Sequence, residues 1–496
     1  MISRLYKRAQ SIKNTNKADT HAMHNSSFTA PTPAPAPASA PAPPLTPTPA
    51  PTLASVPTLV QSKPIESLSA SPSRAESLAR EGLNELSGKD LFRVRRIAQS
   101  PTQTQQKFDG QDFSSFCSND YLGLASDPLL TEALLEGAKL WGVGSGASHL
   151  ISGHTQAHQA LEDRLATWMS PHIPQAQALL FSSGYAANLS LMGALSELVH
   201  VRMGPAEEET PRSSEHSTGV SIYSARLNHA SIIDGIRLAR QLRPVSLHIF
   251  DTDFLDRLES RLATDVNPLK IIVIDAVFSM DGHMAPVKSL LALADRFEAL
   301  LVLDDAHGFG VLGEQGHGIL EHLGVSSGRI VYMGTLGKAV GVSGAFVCAP
   351  ATLCEWIFQK SRPYIYSTAS PPALAHATLQ SLAVIESAEG HRRRAQLQHL
   401  IEHWRAKARF RHWQLAPSLT PIQPLIVGSA QDALLASSLL KNWGYLIPAI
   451  RPPTVEDGKS RLRITFCAKH SLADVDRLIE HLQRAEQSVS VSAQKV

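Results

Sequence analysis

The chain has 496 residues, enough for more than one packed core, since single cores stop growing at about 250–300 residues. A hydrophobic fraction of 43% is ordinary for a globular protein, and a formal net charge of +2 gives no one-signed field that would point to nucleic acid. The cysteines (Cys117, Cys348, Cys354, Cys467) form no CxxC pair, which argues against a zinc site or disulfide framework, and no apolar run approaches the ~20 residues of a membrane helix, so a reducing, cytoplasmic setting is expected.

Between Thr29 and Pro64 the chain is mostly Pro, Ala, Thr and Ser. Such a segment has too little to bury to offset its ordering entropy and reads as disordered, with polyproline II character. Met1 to Ser27 is basic and poor in acids, which a transit peptide would also be. Arg4 and Arg8 are its only arginines, however, and a plain disordered extension is favoured. From Arg74 to Ile97 the apolar spacing is helical, and Asp109-Gly110 then reads as a hairpin turn. A central block follows, with strand candidates at Ala178–Phe181, Ser221–Ser224, Ser246–Phe250, Ile271–Ile274, Leu300–Leu303, Arg329–Met333 and Ala345–Cys348. They are short, continuous and aliphatic, as strands buried on both faces are, and helical patterns separate them, which implies a mostly parallel sheet. Gly204 to Gly219 is polar and reads as a surface loop insertion. After Ser367 a helical pattern runs from Pro372 to Ala408, and Arg392-Arg393-Arg394 within it reads as a solvated helix face. Strand candidates at Ile422–Val427 and Leu462–Phe466, with helices at Ala430–Trp443 and Leu472–Ala485, complete a smaller α+β region.

Five strand ends carry polar groups. Lys338 lies in Met333-Gly334-Thr335-Leu336-Gly337-Lys338, just beyond a strand. Ligands of open α/β sheets sit beyond the carboxyl ends of strands. A lone TxGK would be read as an ordinary surface lysine, and a Walker A loop is excluded because Ala339 follows the lysine and Tyr332 stands where its first glycine belongs. Leu303-Asp304-Asp305-Ala306-His307 ends the preceding strand in two carboxylates and a histidine. Taken alone, Asp304 reads as a helix cap or a structural ion pair; a protonated pyridine nitrogen is the alternative partner for such an acid. Phe181-Ser182-Ser183-Gly184-Tyr185 turns from a strand into a helix whose free N–H groups suit a phosphate. Asn228-His229 and Ser279-Met280-Asp281 close two further strands, and His229 could equally be a polar helix-start residue or stack on an aromatic cofactor. One such coincidence means little, but five on one sheet edge describe a site.

With these motifs in hand, the chain resembles the α-oxoamine synthases, fold-type I enzymes dependent on pyridoxal 5'-phosphate (PLP). The match runs from about Leu91 to His481. It rests on Ser118-Asn119-Asp120-Tyr121-Leu122-Gly123-Leu124, Gly142-Val143-Gly144-Ser145-Gly146, Val277–Gly282, Asp304–Gly308, Thr335–Lys338 and Ile450-Arg451-Pro452-Pro453-Thr454. The last motif is similar to the branch that serves biotin biosynthesis. Phe309, where a small Thr is common, is a departure that could alter packing near the ring. The resemblance implies an α/β fold-type I transferase with a large, mostly parallel-sheet domain and a smaller C-terminal α+β domain. Its divisions would be a disordered extension over 1–75, an N-terminal arm over 76–125, the PLP-binding domain over 126–366, the small domain over 367–485 and a tail over 486–496. It implies a Schiff base on Lys338, with Asp304 at the pyridine nitrogen, His307 and Ser279 hydrogen-bonding the cofactor, Gly184, Tyr185 and Thr335 near the phosphate, and His229 on the ring facing substrate. Arg93, Arg451 and Thr454 would bind substrate. The activity implied is decarboxylative condensation of L-alanine with a pimeloyl thioester, carried by coenzyme A or acyl carrier protein, in a homodimer without a metal, a membrane or a nucleic acid. A glycine C-acetyltransferase type, an aminotransferase and a non-enzymatic nucleotide-binding α/β protein are the alternatives. Gly142–Gly146 supports the last only weakly, because its spacing is not G-x-G-x-x-G.

Overall fold

The computed structural model describes residues 73–89, 91–199 and 219–493. The Pro/Ala-rich extension up to residue 72 and nearly all of the 204–219 insertion lie outside the described residues. The described residues divide into two units, one ending at Arg93 and the other beginning at Val94. In the first, the helix Arg74–Gly88 starts at Ser73, whose hydroxyl accepts from Glu76 N at 3.1 Å. It stops at Gly88 instead of running on to Ile97 as its spacing predicts. Glycine disfavours the helix by about 1 kcal/mol, and the β-branched Val94 and Ile97 beyond it lie in no regular element.

The second unit opens with a hairpin, β1 (Gln105–Phe108) and β2 (Gln111–Ser115). Asp109 (φ +49°) and Gly110 (φ +82°) form its turn, both left-handed as a two-residue type I′ connection requires. Seven strands then build the main sheet: β3 (Ala176–Phe181), β4 (Val220–Ala225), β5 (Ser246–Phe250), β6 (Leu269–Asp275), β7 (Leu300–Asp304), β8 (Ile330–Thr335) and β9 (Ala345–Pro350). Their order is β3-β9-β8-β7-β6-β4-β5, and β9 alone runs antiparallel to its neighbours. The strands are buried on both faces, as their unbroken apolar runs predict. Ile272, Ile274, Leu301 and Leu303 join one core cluster, while Ile271, Val273, Val302 and Val331 join the other. The carboxyl ends of β3, β4, β6, β7 and β8 therefore share one edge.

The remaining strands are β10 (Gln414–Leu415), β11 (Ile422–Gly428), β12 (Tyr445–Leu446), β13 (Ala449–Ile450) and β14 (Ser460–Thr465). An antiparallel sheet of order β10-β11-β14-β13 forms here, and β12 pairs in parallel with β2. The helical run after Ser367 is two helices, Pro372–Glu386 and Ala388–Lys407. Ser387 caps the second by accepting from Glu389 N, and a Cβ on Gly390 would stand 2.0 Å from Ile385 O, so only glycine fits that corner. Of the arginine triplet, Arg392 is exposed as a solvated face requires, but Arg393 and Arg394 are not. Arg393 binds Asp127 at 2.7 Å, and the buried Arg394 donates to Ile385 O and Glu314 O. The last helix runs to Ala493, past the expected end at Ala485.

Candidate active site

The five strand ends close around a cavity of about 180 Å³, lined by Gly184, Tyr185, Asn188, His229, Ser231, Asp275, Ser279, Asp304, Ala306, His307, Met333, Thr335 and Lys338. Eight of these residues were legible in the motifs: Gly184, Tyr185, His229, Ser279, Asp304, His307, Thr335 and Lys338. A larger cavity of about 590 Å³, between Val311–Glu314 and Leu419–Pro421, holds none of them.

The lysine amine faces inward, with Nζ 2.9 Å from His307 Nε2. Burial pushes its pKa down from 10.5 to about 8, against the charges of Asp304 and Asp275, which oppose the fall. A lysine tuned this way is available as a neutral amine near neutral pH. Burial also lowers His307 well below the usual histidine range, and the charges on Lys338 and Arg463 push the same way. His229 is lowered by burial too, with Asp304 opposing and Lys338 assisting. Its ring caps its own helix by accepting from Ser231 N, and its backbone N–H donates to Asp275 at 3.1 Å.

The two adjacent aspartates are sorted by their contacts. Asp304 Oδ1 accepts from Ala306 N at 3.0 Å and Oδ2 from Asn188 Nδ2 at 2.7 Å, and the side chain lines the cavity. Asp305 turns away, accepting from Ile319 N at 2.6 Å and the Tyr332 hydroxyl at 2.8 Å. Phe309 lies apart from the cavity, in the core against Trp168 and Phe346, so this departure from the motif repacks the interior and leaves the ring site alone.

At the end of β3, Ser183 caps the helix Gly184–Ser196 by accepting from Ala186 N at 3.2 Å. Ser183 satisfies Ala186 and Ala187, so the first-turn N–H groups left without a partner within the helix are those of Gly184 and Tyr185, two residues that line the cavity. A Cβ on Gly184 would meet Thr335 Cγ2 at 3.0 Å, which is why the cradle is widest with glycine. Anion cradle, ring-facing carboxylate and inward lysine make a donor set that fits PLP. The buried Asn188 Oδ1, with no hydrogen-bond partner among the described residues, is a further polar group left for a ligand.

Of the predicted substrate residues, Thr454 lines a second cavity of about 440 Å³. That cavity adjoins the first, because Asn228 and Met280 line it while their neighbours His229 and Ser279 line the other. Arg451 lines neither cavity; its carbonyl accepts from Thr454 N at 3.0 Å. Arg93 belongs to the first unit. Sequence reasoning missed Asn188, Asp275, Tyr121 and two arginines of β14. Arg463 donates to Ser279 O at 2.6 Å and to Asn119 Oδ1; Arg461 donates to Asp281 Oδ1 at 2.6 Å. Alternation was the available signal, since residues i and i+2 of a strand share a face.

Residues 111–482 match the family described as aminotransferase class I and II. A curated 8-amino-7-oxononanoate synthase from Bordetella petrii is 48% identical over 404 residues, covering 82% of this chain and 96% of its own length. The 8-amino-7-oxononanoate synthase 2 of a Polaromonas species is 50% identical over 410 residues, covering 80% and 95%. The chain belongs to the 8-amino-7-oxononanoate synthase family. Among solved structures, the 8-amino-7-oxononanoate synthase of Francisella tularensis is 26% identical with a TM-score of 0.60, covering 77% of this chain and 99% of that one. The serine palmitoyltransferase of Sphingomonas wittichii, 24% identical with a TM-score of 0.70 over 84% of this chain and 98% of its own, shares the fold. The chain is thus a fold-type I, PLP-dependent acyltransferase of biotin biosynthesis. Among the described residues, no helix is long and apolar enough to cross a membrane.

Proposed function

We propose that this enzyme condenses L-alanine with a pimeloyl thioester, releasing CO2 and the carrier thiol to give 8-amino-7-oxononanoate. The observation that carries the reading is the inward Lys338 amine, pushed down to about 8, sharing one cavity with Asp304 and the Gly184 cradle. Lys338 would hold the cofactor. The Asp304 carboxylate would keep its pyridine nitrogen protonated, Gly184, Tyr185 and Thr335 would take its phosphate, and His307 and Ser279 would hydrogen-bond it. When bound, PLP supplies an electron sink for the substrate carbon.

The protein's part is proton handling and orientation. Freed from the cofactor, the Lys338 amine is neutral for a useful fraction of the time near neutral pH, so it can take the proton from the alanine carbon and later return it. His229, at the mouth of the cavity, orients the reacting carbon against the ring. The acyl chain enters from the adjoining cavity, past Thr454 and the apolar side chains of Leu227, Phe278 and Met280. Arg451 and Arg93 are proposed for the carboxylates of the substrates, since a guanidinium binds a carboxylate in bidentate fashion. A cytoplasmic homodimer belongs to the proposal, supported by the exposed Val143, Ile151 and Tyr366 and by four free cysteines.

The test is a panel of amino acids and acyl thioesters, on coenzyme A and on acyl carrier protein, assayed for thiol release. Alanine with a pimeloyl thioester should give the fastest release. Ketoacid formation without thiol release would mean transamination and would sink the proposal. Lys338→Ala should lose both turnover and the adduct that borohydride fixes.

A further inference from the structure

A chain of buried polar contacts leads away from Lys338. Its Nζ lies 2.9 Å from His307 Nε2, and His307 Nδ1 lies 2.6 Å from the Tyr121 hydroxyl. That hydroxyl is in turn 3.1 Å from Asn119 Oδ1. Arg463 donates to the same Asn119 oxygen from both terminal nitrogens, at 3.3 and 3.2 Å, which fixes it as an acceptor. Tyr121 and His307 are both buried. The Ser118–Leu124 motif, which supplies Asn119 and Tyr121, is thereby tied to the lysine more than two hundred residues later.

We propose that Tyr121 is a positioning residue that sets, through His307, how readily Lys338 takes up a proton. The inference rests on the reading of Lys338 as the proton acceptor and adds the group that tunes it. A tyrosine hydroxyl carries one hydrogen and a neutral imidazole carries one N–H. Two arrangements of the chain are self-consistent. With the amine charged, Nζ donates to His307 Nε2, Nδ1–H donates to the Tyr121 oxygen, and the hydroxyl donates to Asn119 Oδ1. With the amine neutral, Nε2–H donates to Nζ and the Tyr121 hydroxyl donates to Nδ1. The two arrangements differ by the single proton that Lys338 takes up. Tyr121 supports either one, because its oxygen can accept while its hydrogen goes to Asn119, or its hydrogen can turn to the imidazole.

Removing the hydroxyl breaks this balance. In Tyr121→Phe the charged arrangement strands a buried N–H, whereas the neutral one strands only a bare ring nitrogen. Orphaned buried donors are the rarer and costlier of the two. The variant should therefore favour the neutral amine. The other groups that act on the amine (Asp304, Asp275 and Asp305, which favour its charge, and Arg463, which opposes it) keep their charges, as does the neighbouring His229; Arg463 loses the Tyr121 oxygen as one acceptor and keeps Ser279 O and Asn119 Oδ1.

The experiment is pH-dependent acylation of Lys338 in the full-length chain before cofactor is added, using acetic anhydride and quantified by mass spectrometry. The midpoint of Tyr121→Phe should lie roughly half to one pH unit below that of the unmodified chain, the size of one hydrogen bond. Asn119→Leu, which leaves the Tyr121 hydroxyl with only His307 to donate to, should shift it in the same direction. The double variant should shift no further than Tyr121→Phe alone, as members of one chain do. Coincident midpoints in folded Tyr121→Phe would overturn the inference, and if that variant does not fold, an unmoved midpoint in Asn119→Leu does so. Failure of the cofactor reading looks different: no borohydride-fixed adduct forms on Lys338, while the acylation midpoints still move.

Discussion

Glu162 gives the sharpest quantitative test of the fold that carries the site. It is buried, and its Oε1 accepts from Leu180 N at 2.9 Å, tying the helix Gln156–Met169 to β3 just before the Gly184 cradle. Burial pushes its pKa from 4.5 up to about 8; the hydrogen bond from Leu180 opposes the rise and Asp163 adds to it. The folded protein thus binds this proton more tightly than the unfolded chain does. The stability it contributes is complete below the unfolded value and is lost as pH rises toward about 8. Linkage with these two values gives a loss of roughly 2–3 kcal/mol between about pH 6 and about pH 8.5 from this one group. Glu162→Gln keeps an oxygen acceptor for Leu180 N and cannot ionise. Denaturant midpoints of both proteins at the two pH values are the assay. The advantage of the glutamine variant should grow by about 2–3 kcal/mol from the lower pH to the higher. If both proteins lose stability in parallel, Glu162 is ionised in the folded state without cost, and the burial argument is wrong.

The paired aspartates should separate cleanly. Asp304→Asn should lower turnover by roughly a hundredfold or more at a stability cost of about 1 kcal/mol, because its single amide oxygen can serve only one of the two donors, Ala306 N and Asn188 Nδ2. Asp305→Ala should instead lower stability by about 2–4 kcal/mol by stranding Ile319 N and the Tyr332 hydroxyl, measured by denaturation. Gly282→Ala should displace the Ser279 loop: at φ +71° its Cβ would stand 2.3 Å from Ile422 O, and Ser418 and Thr420 both donate to Gly282 O at 2.8 Å. A cost of about 3 kcal/mol together with weakened cofactor binding, read by fluorescence titration, is the expected result.

The sheet and its ligand-bearing edge were legible because both are local. A strand buried on two faces must be apolar at every position, so Leu300–Leu303 announced itself, and the residues just past it had to lie at an edge. Direction was legible as well, since helical segments between strands force parallel pairing. What stayed hidden is set at long range. Ser387 and Gly390 divide the helical run after Pro372 because the chain turns back sharply against Ile385, a contact that apolar spacing does not encode. Arg393 and Arg394 read as solvated because Asp127 and Glu314 come to them from elsewhere in the fold.

The site divides along the same line. Groups that touch the cavity from the end of their own strand, such as Asp304 and Lys338, could be placed from a dozen neighbouring residues. Groups that act through others could not. Arg463 reaches Asn119 across 344 residues, and Tyr121 reaches His307 across 186. Until the small sheet is set against the loop carrying Ser279, Arg461 and Arg463 are two arginines in an ordinary amphipathic strand. Their burial is what gives them meaning. A guanidinium removed from water is tolerated only with full partners, and Ser279 O, Met280 O and Asp281 supply them. The loop that would hold the cofactor is thereby fixed by the same charges that need it. Truncating either arginine should therefore loosen Ser279 and weaken cofactor binding, even though neither arginine lines the cavity of about 180 Å³.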